Sequence, residues 1–182
     1  MKSPFLFLGL ILTLAGCVRI PDRVVAVDGF EIDRYLGKWY EIARLDHSFE
    51  KGLIRVTAEY RLREDGAIRV GNRGYDPKKD EWREATGKAC FVGKPDIGRL
   101  KVSFFGPFYG GYNIIALDRE DYAYALVCGP SRSYLWILSR SPELEASVSE
   151  MLIRKAAGNG FNTRGLVFVD QRPEPQSQPD GE

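Results

Sequence analysis

Apolar and polar residues alternate in short runs along most of the chain. Every second residue is apolar from Val56 to Leu62, and the same alternation returns from Leu100 to Phe104. A period of two is the spacing of a strand with one buried face. Turn-forming pairs such as Asp65-Gly66 and Pro95-Asp96 separate the runs. The pattern therefore predicts an antiparallel sheet that is apolar on one face and solvated on the other.

Eight such strands follow one another. Their predicted ranges are 38–45, 54–63, 67–75, 82–92, 99–105, 112–118, 122–128 and 134–139. Eight consecutive strands leave two unpaired edges unless the sheet closes, and a closed barrel of this size can hold one small ligand. We therefore predict an all-β, eight-stranded antiparallel up-and-down barrel. A sandwich of two sheets is the alternative.

The hydrophobic period changes after the eighth strand. Ser141 followed by Pro142 predicts a helix start, and Gly158 marks its end. Apolar residues fall on one helical stripe: Leu144, Val148, Met151, Leu152 and Ala156. We expect one C-terminal α-helix against the flank of the barrel, then a short strand at 166–169.

Both ends of the chain differ from this pattern. The N-terminus has the layout of a secretory signal, with Lys2 followed by an apolar run and small residues. The apolar run is too short to span a bilayer. Leu14-Ala15-Gly16-Cys17 resembles the lipobox of bacterial lipoproteins, which implies removal of residues 1–16 and lipid attachment at Cys17. An ordinary signal peptide that contains a cysteine is the alternative. The resemblance also implies a lipidated tether at 17–29, and Val18, in place of an aspartate, favours the periplasmic face of the outer membrane.

Charge and composition narrow the possible partners. Without Lys2 the chain keeps 25 basic residues against 25 acidic ones, so its net charge is near zero and no basic surface for nucleic acid is expected. The Pro-rich polar end, 171–182, is predicted to be a disordered tail.

A tryptophan at the start of the first strand raises the question of family. Gly37-Lys38-Trp39 resembles the G-x-W signature of the lipocalins, and Arg140, just past the eighth strand, matches the arginine that stacks on that tryptophan in the family. The resemblance implies that Gly37, Trp39 and Arg140 form the floor of the barrel.

Longer segments resemble the bacterial outer-membrane lipocalins in particular. They are YLGKWYEIARLDHSFEKGL, KVSFFGPFYGGYNIIALDRE and ALVCGPSRSYLWILSR. This resemblance implies a lipocalin domain at 30–170 that binds lysophospholipid or fatty acid. One departure is Leu117-Asp118-Arg119 in place of the second motif, commonly T-D-Y, and the tyrosines at 122 and 124 are candidates to replace its tyrosine.

Hairpin turns alternate between the two ends of such a barrel, so loops 46–53, 76–81, 106–111 and 129–133 should surround its mouth. The residues predicted to line the interior are mostly aliphatic or aromatic, as in small-molecule sites: Ala43, Ala58, Tyr60, Val70, Asn72, Phe104, Tyr112, Ile114, Tyr134 and Trp136. A solidly packed core is the alternative. Glu41 on the inner face would need a partner.

The mouth loops supply two further predictions. Phe49, Phe108 and Tyr109 either contact lipid or a partner, including a second copy of the chain, or fold inward as a lid. Arg132 or Lys51 is a candidate partner for a lipid phosphate.

The sequence contains few histidines or cysteines that could act as a catalytic base or nucleophile. His47 is the only histidine, and Cys90 and Cys128 are the only thiols after Cys17. The strand positions of Cys90 and Cys128 differ in height by about 10 Å, too far for a disulfide. We expect a binding protein without metal or cofactor, in which His47 does not ligate a haem. A lipocalin-type isomerase that uses a barrel cysteine is the alternative.

Overall fold

The computed structural model describes residues 18–173 and consists mainly of a closed antiparallel barrel. Its strands are β1 (Gly37–Leu45), β2 (Ile54–Leu62), β3 (Ile68–Asp76), β4 (Glu81–Phe91), β5 (Arg99–Phe105), β6 (Phe108–Leu117), β7 (Tyr124–Cys128) and β8 (Leu135–Ser139). Strands adjacent in sequence pair, and β1 pairs with both β2 and β8. The predicted eight-stranded barrel is confirmed. The predicted signal peptide, Cys17 and residues 174–182 lie outside the described residues.

Strand β6 begins earlier than its hydrophobic pattern indicated. It starts at Phe108 rather than near 112, because the glycine-rich stretch at 108–111 pairs with β5. The predicted loop at 106–111 is therefore a tight hairpin whose tip is Gly106-Pro107.

Within residues 18–173, two α-helices accompany the barrel, α1 (Ile32–Tyr35) and α2 (Ala146–Gly158), together with one short 3₁₀-helix (Thr163–Gly165). Helix α2 is the predicted flanking helix, and its Leu152 and Ala156 are fully buried against the outer face of the sheet. The prediction that Ser141 caps this helix is wrong. The hydroxyl of Ser141 instead accepts the amide of Glu143, and a local turn of this kind competes with helical hydrogen bonding.

A ninth strand, β9 (Leu166–Phe168), completes the wall of the barrel. The closed-end half of β1, 37–40, pairs with β2, whereas 43–45 pairs with β9. Gln171 spans the place where β1 and β2 separate, because its side-chain amide donates to the carbonyls of Glu41 and Val56, both at 2.8 Å. The predicted tail thus begins with a residue that is bonded to the barrel.

The hydrophobic core has two parts. The inner part fills the closed-end half of the barrel and includes Trp39, Ile68, Leu100 and Ile114. The outer part lies between the sheet and α2. No helix among residues 18–173 is long and apolar enough to cross a membrane.

Candidate functional site

The floor of the barrel is formed by a fully buried tryptophan beneath a guanidinium. The indole nitrogen of Trp39 donates to the carbonyl of Tyr35 at 2.8 Å, and the Arg140 guanidinium carbon lies 4.0 Å from the Trp39 ring centroid. The same guanidinium donates to the carbonyls of Arg34 (2.7 Å) and Lys38 (2.9 Å). Arg140 therefore ties α1 and the start of β1 to the end of β8.

Gly37 allows this close approach. Its φ of +93° is a conformation that side-chain-bearing residues rarely adopt, and a Cβ there would lie 3.4 Å from the Arg140 guanidinium. The positive φ and the close approach of Arg140 together explain why a glycine lies two residues before Trp39.

The closed-end turn after β6 is tied without the usual tyrosine of the second motif. The Asp118 carboxylate accepts the amides of Glu120 (3.2 Å) and Ala123 (3.1 Å). Tyr122, which is 2% exposed, accepts the amide of Glu31 at 3.1 Å and packs into the inner core. Tyr122 thus joins this turn to the segment before α1, and Arg119 binds the tether through the Asp28 carboxylate at 2.8 Å.

Three tyrosine hydroxyls meet above the floor. The hydroxyl of Tyr112 lies 2.7 Å from that of Tyr35 and 2.7 Å from that of Tyr60. Burial raises the pKa of all three phenols above its ordinary value, so they are neutral hydrogen-bonding groups. They form a small polar site above the floor of the barrel.

The inner wall is accessible only toward the mouth. On the closed-end side Tyr60, Val70 and Ile114 are packed in the inner core with 5%, 3% and 0% exposure. Toward the mouth, several inward residues retain some accessible surface, whereas Val56 and Val127 are buried. The residues with accessible surface are Ala58, Asn72, Ala85, Gly87, Val102, Phe104, Tyr112 and Trp136. The accessible part of the inner wall therefore lies toward the mouth.

Ala43 does not belong to this wall, so the prediction that it faces the interior is wrong. A β-bulge at Ile42 shifts the register, so Glu41 pairs with Leu138 but Ala43 pairs with Ile137. An extra residue reverses the facing of all residues beyond it. Ala43 is consequently buried in the outer core beneath α2, and Arg44 points inward.

Arg44 is the centre of a buried charged cluster that sequence reasoning missed. Its guanidinium lies 2.7 Å from the Glu41 carboxylate and donates to the carbonyl of Glu50 at 2.7 Å. Burial raises the pKa of Glu41 to about 8, and the Glu50 carboxylate acts in the same direction. The cluster supplies the partner that Glu41 needs and holds loop 46–53 over one side of the mouth.

Aromatic rings continue from this cluster to the rim. The Trp136 indole donates to the Glu50 carboxylate at 3.1 Å, and His47 lies 3.1 Å from the same oxygen. His47 stacks on Phe49 with ring centroids 3.9 Å apart, and Tyr134 stacks on Trp136 at 6.2 Å. Phe49 remains 53% exposed, so this loop is both a partial lid and an exposed aromatic edge.

Asn72 is the one inward amide among the predicted lining residues. Its side-chain oxygen is buried and has no hydrogen-bond partner. A buried acceptor of this kind costs free energy unless it is paired.

Both described thiols lie on the outer face of the barrel. Cys128 follows the inward Val127 and belongs to the outer core, and Cys90 follows the inward Ala89. They are not disulfide-bonded, and burial raises the pKa of the Cys128 thiol to about 12. Neither thiol reaches the interior. Within residues 18–173 no group of His, Cys, Asp and Glu side chains could hold a metal ion.

Comparison with known proteins agrees with this geometry. Residues 30–171 match the family model described as a lipocalin-like domain. The chain is a lipocalin. It is 54% identical over 172 residues to the outer membrane lipoprotein Blc of Vibrio cholerae, across 94% of this chain and 100% of the relative.

The lipocalin is also 54% identical to Blc of Escherichia coli K12, across 83% of this chain and 85% of the relative. It therefore belongs to the bacterial Blc subfamily and is an outer-membrane lipoprotein, as predicted. Among solved structures it resembles the cockroach allergen Per a 4, with a TM-score of 0.66 and 20% identity over 86% of this chain and 96% of that one. That likeness supports the barrel fold.

Proposed function

We propose that this lipocalin holds a single-chain lipid, a lysophospholipid or a fatty acid, in the upper half of its barrel. The observation that carries the proposal is the inner wall, which is accessible toward the mouth and closed below by a solid core. That wall presents mainly aliphatic and aromatic groups, among them Val102, Phe104 and Trp136. Membership of the Blc lipocalins adds support.

The charged cluster favours a tail-inward orientation. Glu41 and Glu50 place two carboxylic groups against one arginine on the β1 side. A fatty-acid carboxylate beside them would add a further buried negative charge, which is costly. A head group that stays in solvent at the mouth avoids this burial, so the acyl tail occupies the barrel.

The two candidates for contact with a lipid head group, Arg132 and Lys51, differ in whether their charged groups already have partners. Arg132 is occupied, because it donates to the carbonyls of Asn159 (2.8 Å) and Asp22 (2.7 Å). Lys51 on the mouth loop has a side chain that is 75% exposed, and its nearest acidic partner, Asp46, is 3.9 Å away. Lys51 is the better partner for a phosphate.

The energetic scale is adequate for specific binding. Each buried methylene contributes about 0.8 kcal/mol, so about twelve of them give roughly 10 kcal/mol before the costs of association. Loss of translational and internal freedom consumes several kcal/mol of that total. We expect a dissociation constant in the micromolar range or below.

Lipid extraction and native mass spectrometry test the proposal directly. Delipidated protein titrated with a lysophospholipid should bind one molecule, and Ala85→Trp should weaken binding at least tenfold because Ala85 is on the inner wall. Glu84→Trp is the matched control, since the neighbouring side chain faces outward beside Arg73. Absence of both copurified lipid and binding on titration would reject the proposal.

A further inference from the structure

The segment that leads to the predicted lipid anchor follows a defined path along the barrel. At the closed end, the amide of Phe30 donates to the carbonyl of Asp96 at 2.8 Å. Three residues earlier, the amide of Val27 donates to the carbonyl of Ile114 at 2.9 Å, and the carbonyl of Val27 accepts the amide of Gly98 at 2.8 Å. The tether is therefore hydrogen-bonded to β6 and to the residue just before β5 where it leaves the floor.

Its N-terminal part runs toward the mouth. Asn113 donates to the carbonyl of Arg19 at 3.4 Å, and a Cβ on Gly111 would lie 2.7 Å from that same carbonyl oxygen. Arg132 on the β7–β8 mouth loop binds the carbonyl of Asp22 at 2.7 Å. The glycine at 111 is thus the place where the backbone of the tether packs directly on β6.

This path places the anchor near the open end of the barrel. Val18 packs at Gly111, three residues from Phe108 at the hairpin tip. Three strand residues span about 10 Å, and Cys17 precedes Val18 by one Cα–Cα step of about 3.8 Å. A lipid on Cys17 would enter a bilayer at nearly the level of the mouth.

The two ends of the barrel differ in the chemistry they expose. The open-end loops and strand ends carry exposed aromatic side chains: Phe49 (53%), Trp82 (40%), Phe105 (81%) and Phe108 (69%). The closed-end turns expose mainly charged or turn-forming residues at 63–66, 93–96 and 119–121. Exposed aromatic patches mark sites of contact with protein or lipid.

We propose that the open end of this lipocalin faces the bilayer, with the β5–β6 hairpin tip at Phe105 and Phe108 inserted among the lipid chains. The predicted lipid on Cys17 and the position of Val18 together select a membrane, rather than a second copy of the chain, as the occupant of this aromatic surface. The consequence for exchange rests on the proposed function: a single-chain lipid would move between leaflet and barrel without crossing water.

Depth-dependent fluorescence quenching tests this orientation. The full lipidated chain, carrying Trp82→Phe, would be reconstituted in phosphatidylethanolamine and phosphatidylglycerol vesicles whose acyl chains are brominated. Phe108→Trp places an indole at the open end, and Leu62→Trp places one at the closed end, where Leu62 is already 54% exposed. We expect quenching of the added indole at 108 at least twice that at 62.

Each quenching result either supports or contradicts the proposed orientation. The proposal is overturned if quenching is stronger at 62 than at 108, or if neither position is quenched. If neither is quenched, crosslinking would show whether another copy of the chain covers the hairpin. Because quenching does not require bound cargo, it remains informative if the lipid-binding experiment fails. Phe105→Ser with Phe108→Ser should also slow transfer of a fluorescent lysophospholipid from vesicles at least threefold, and an unchanged rate would contradict the exchange route.

Discussion

Replacement of Arg140 by alanine tests the floor of the barrel most directly. The substitution removes the guanidinium that lies 4.0 Å from the Trp39 ring. A cation over an indole contributes about 0.5–2 kcal/mol. It also removes the donor to the carbonyls of Arg34 and Lys38. Each hydrogen bond from a charged donor contributes about 1.5–3 kcal/mol, and the lower value applies here because water reaches the half-exposed arginine. We expect Arg140→Ala to lower the free energy of unfolding by about 3.5–5 kcal/mol.

Urea denaturation followed by tryptophan fluorescence would measure this change. Arg140→Lys retains a cation near the ring but cannot reproduce the planar fork of donors, so it should cost about 1–2 kcal/mol. Arg154→Ala is the surface control, because Arg154 is 70% exposed and pairs only with Glu150. Its effect should stay below about 0.5 kcal/mol.

Three results would contradict this role of Arg140. If Arg140→Ala were as stable as the parent within about 0.5 kcal/mol, the guanidinium would not support the floor. If Arg140→Lys and Arg140→Ala lost the same amount, the remaining charge over Trp39 would contribute nothing. Comparable loss in Arg154→Ala would indicate a general charge effect.

Three further predictions concern other parts of the barrel. Burial raises the pKa of Glu41 from 4.5 to about 8, so between these pH values the folded state holds a proton that the unfolded chain releases. The free energy of unfolding should therefore fall as pH rises through this range. Glu41→Gln should reduce the difference in stability between pH 5 and pH 8, measured by urea titration. Gln171→Ala leaves two carbonyls without a donor and should cost about 1–2 kcal/mol by thermal or urea unfolding, whereas Arg172→Ala at an exposed position should not. Burial raises the pKa of Cys128 to about 12, so iodoacetamide at pH 7.5 should modify it only after unfolding, and mass-spectrometric detection of native labelling would contradict its position in the outer core.

The barrel and its floor were predictable because they depend on local patterns. Alternation and turn-forming residues located the eight strands to within four residues at their ends. The resemblance to the lipocalin G-x-W signature identified Gly37, Trp39 and Arg140 as the floor. The helix start was not predictable in the same way. Ser141 and Pro142 match a helix start by residue type, but the side chain of Ser141 holds a local turn and α2 begins only at Ala146.

Taken alone, the sequence determined the class of fold, the order of the strands and the residues that close the barrel, since each follows from nearest-neighbour spacing or from a short motif. Only the tertiary structure decided which side chains face the interior beyond the bulge, because one extra residue at Ile42 reverses Ala43 and Arg44 without changing the alternation of residue types. It also decided that Gln171 bridges β1 and β2 and that Val18 packs at the mouth end. These contacts join segments far apart in the chain, and their partners are selected by the closed shape of the barrel rather than by local preference.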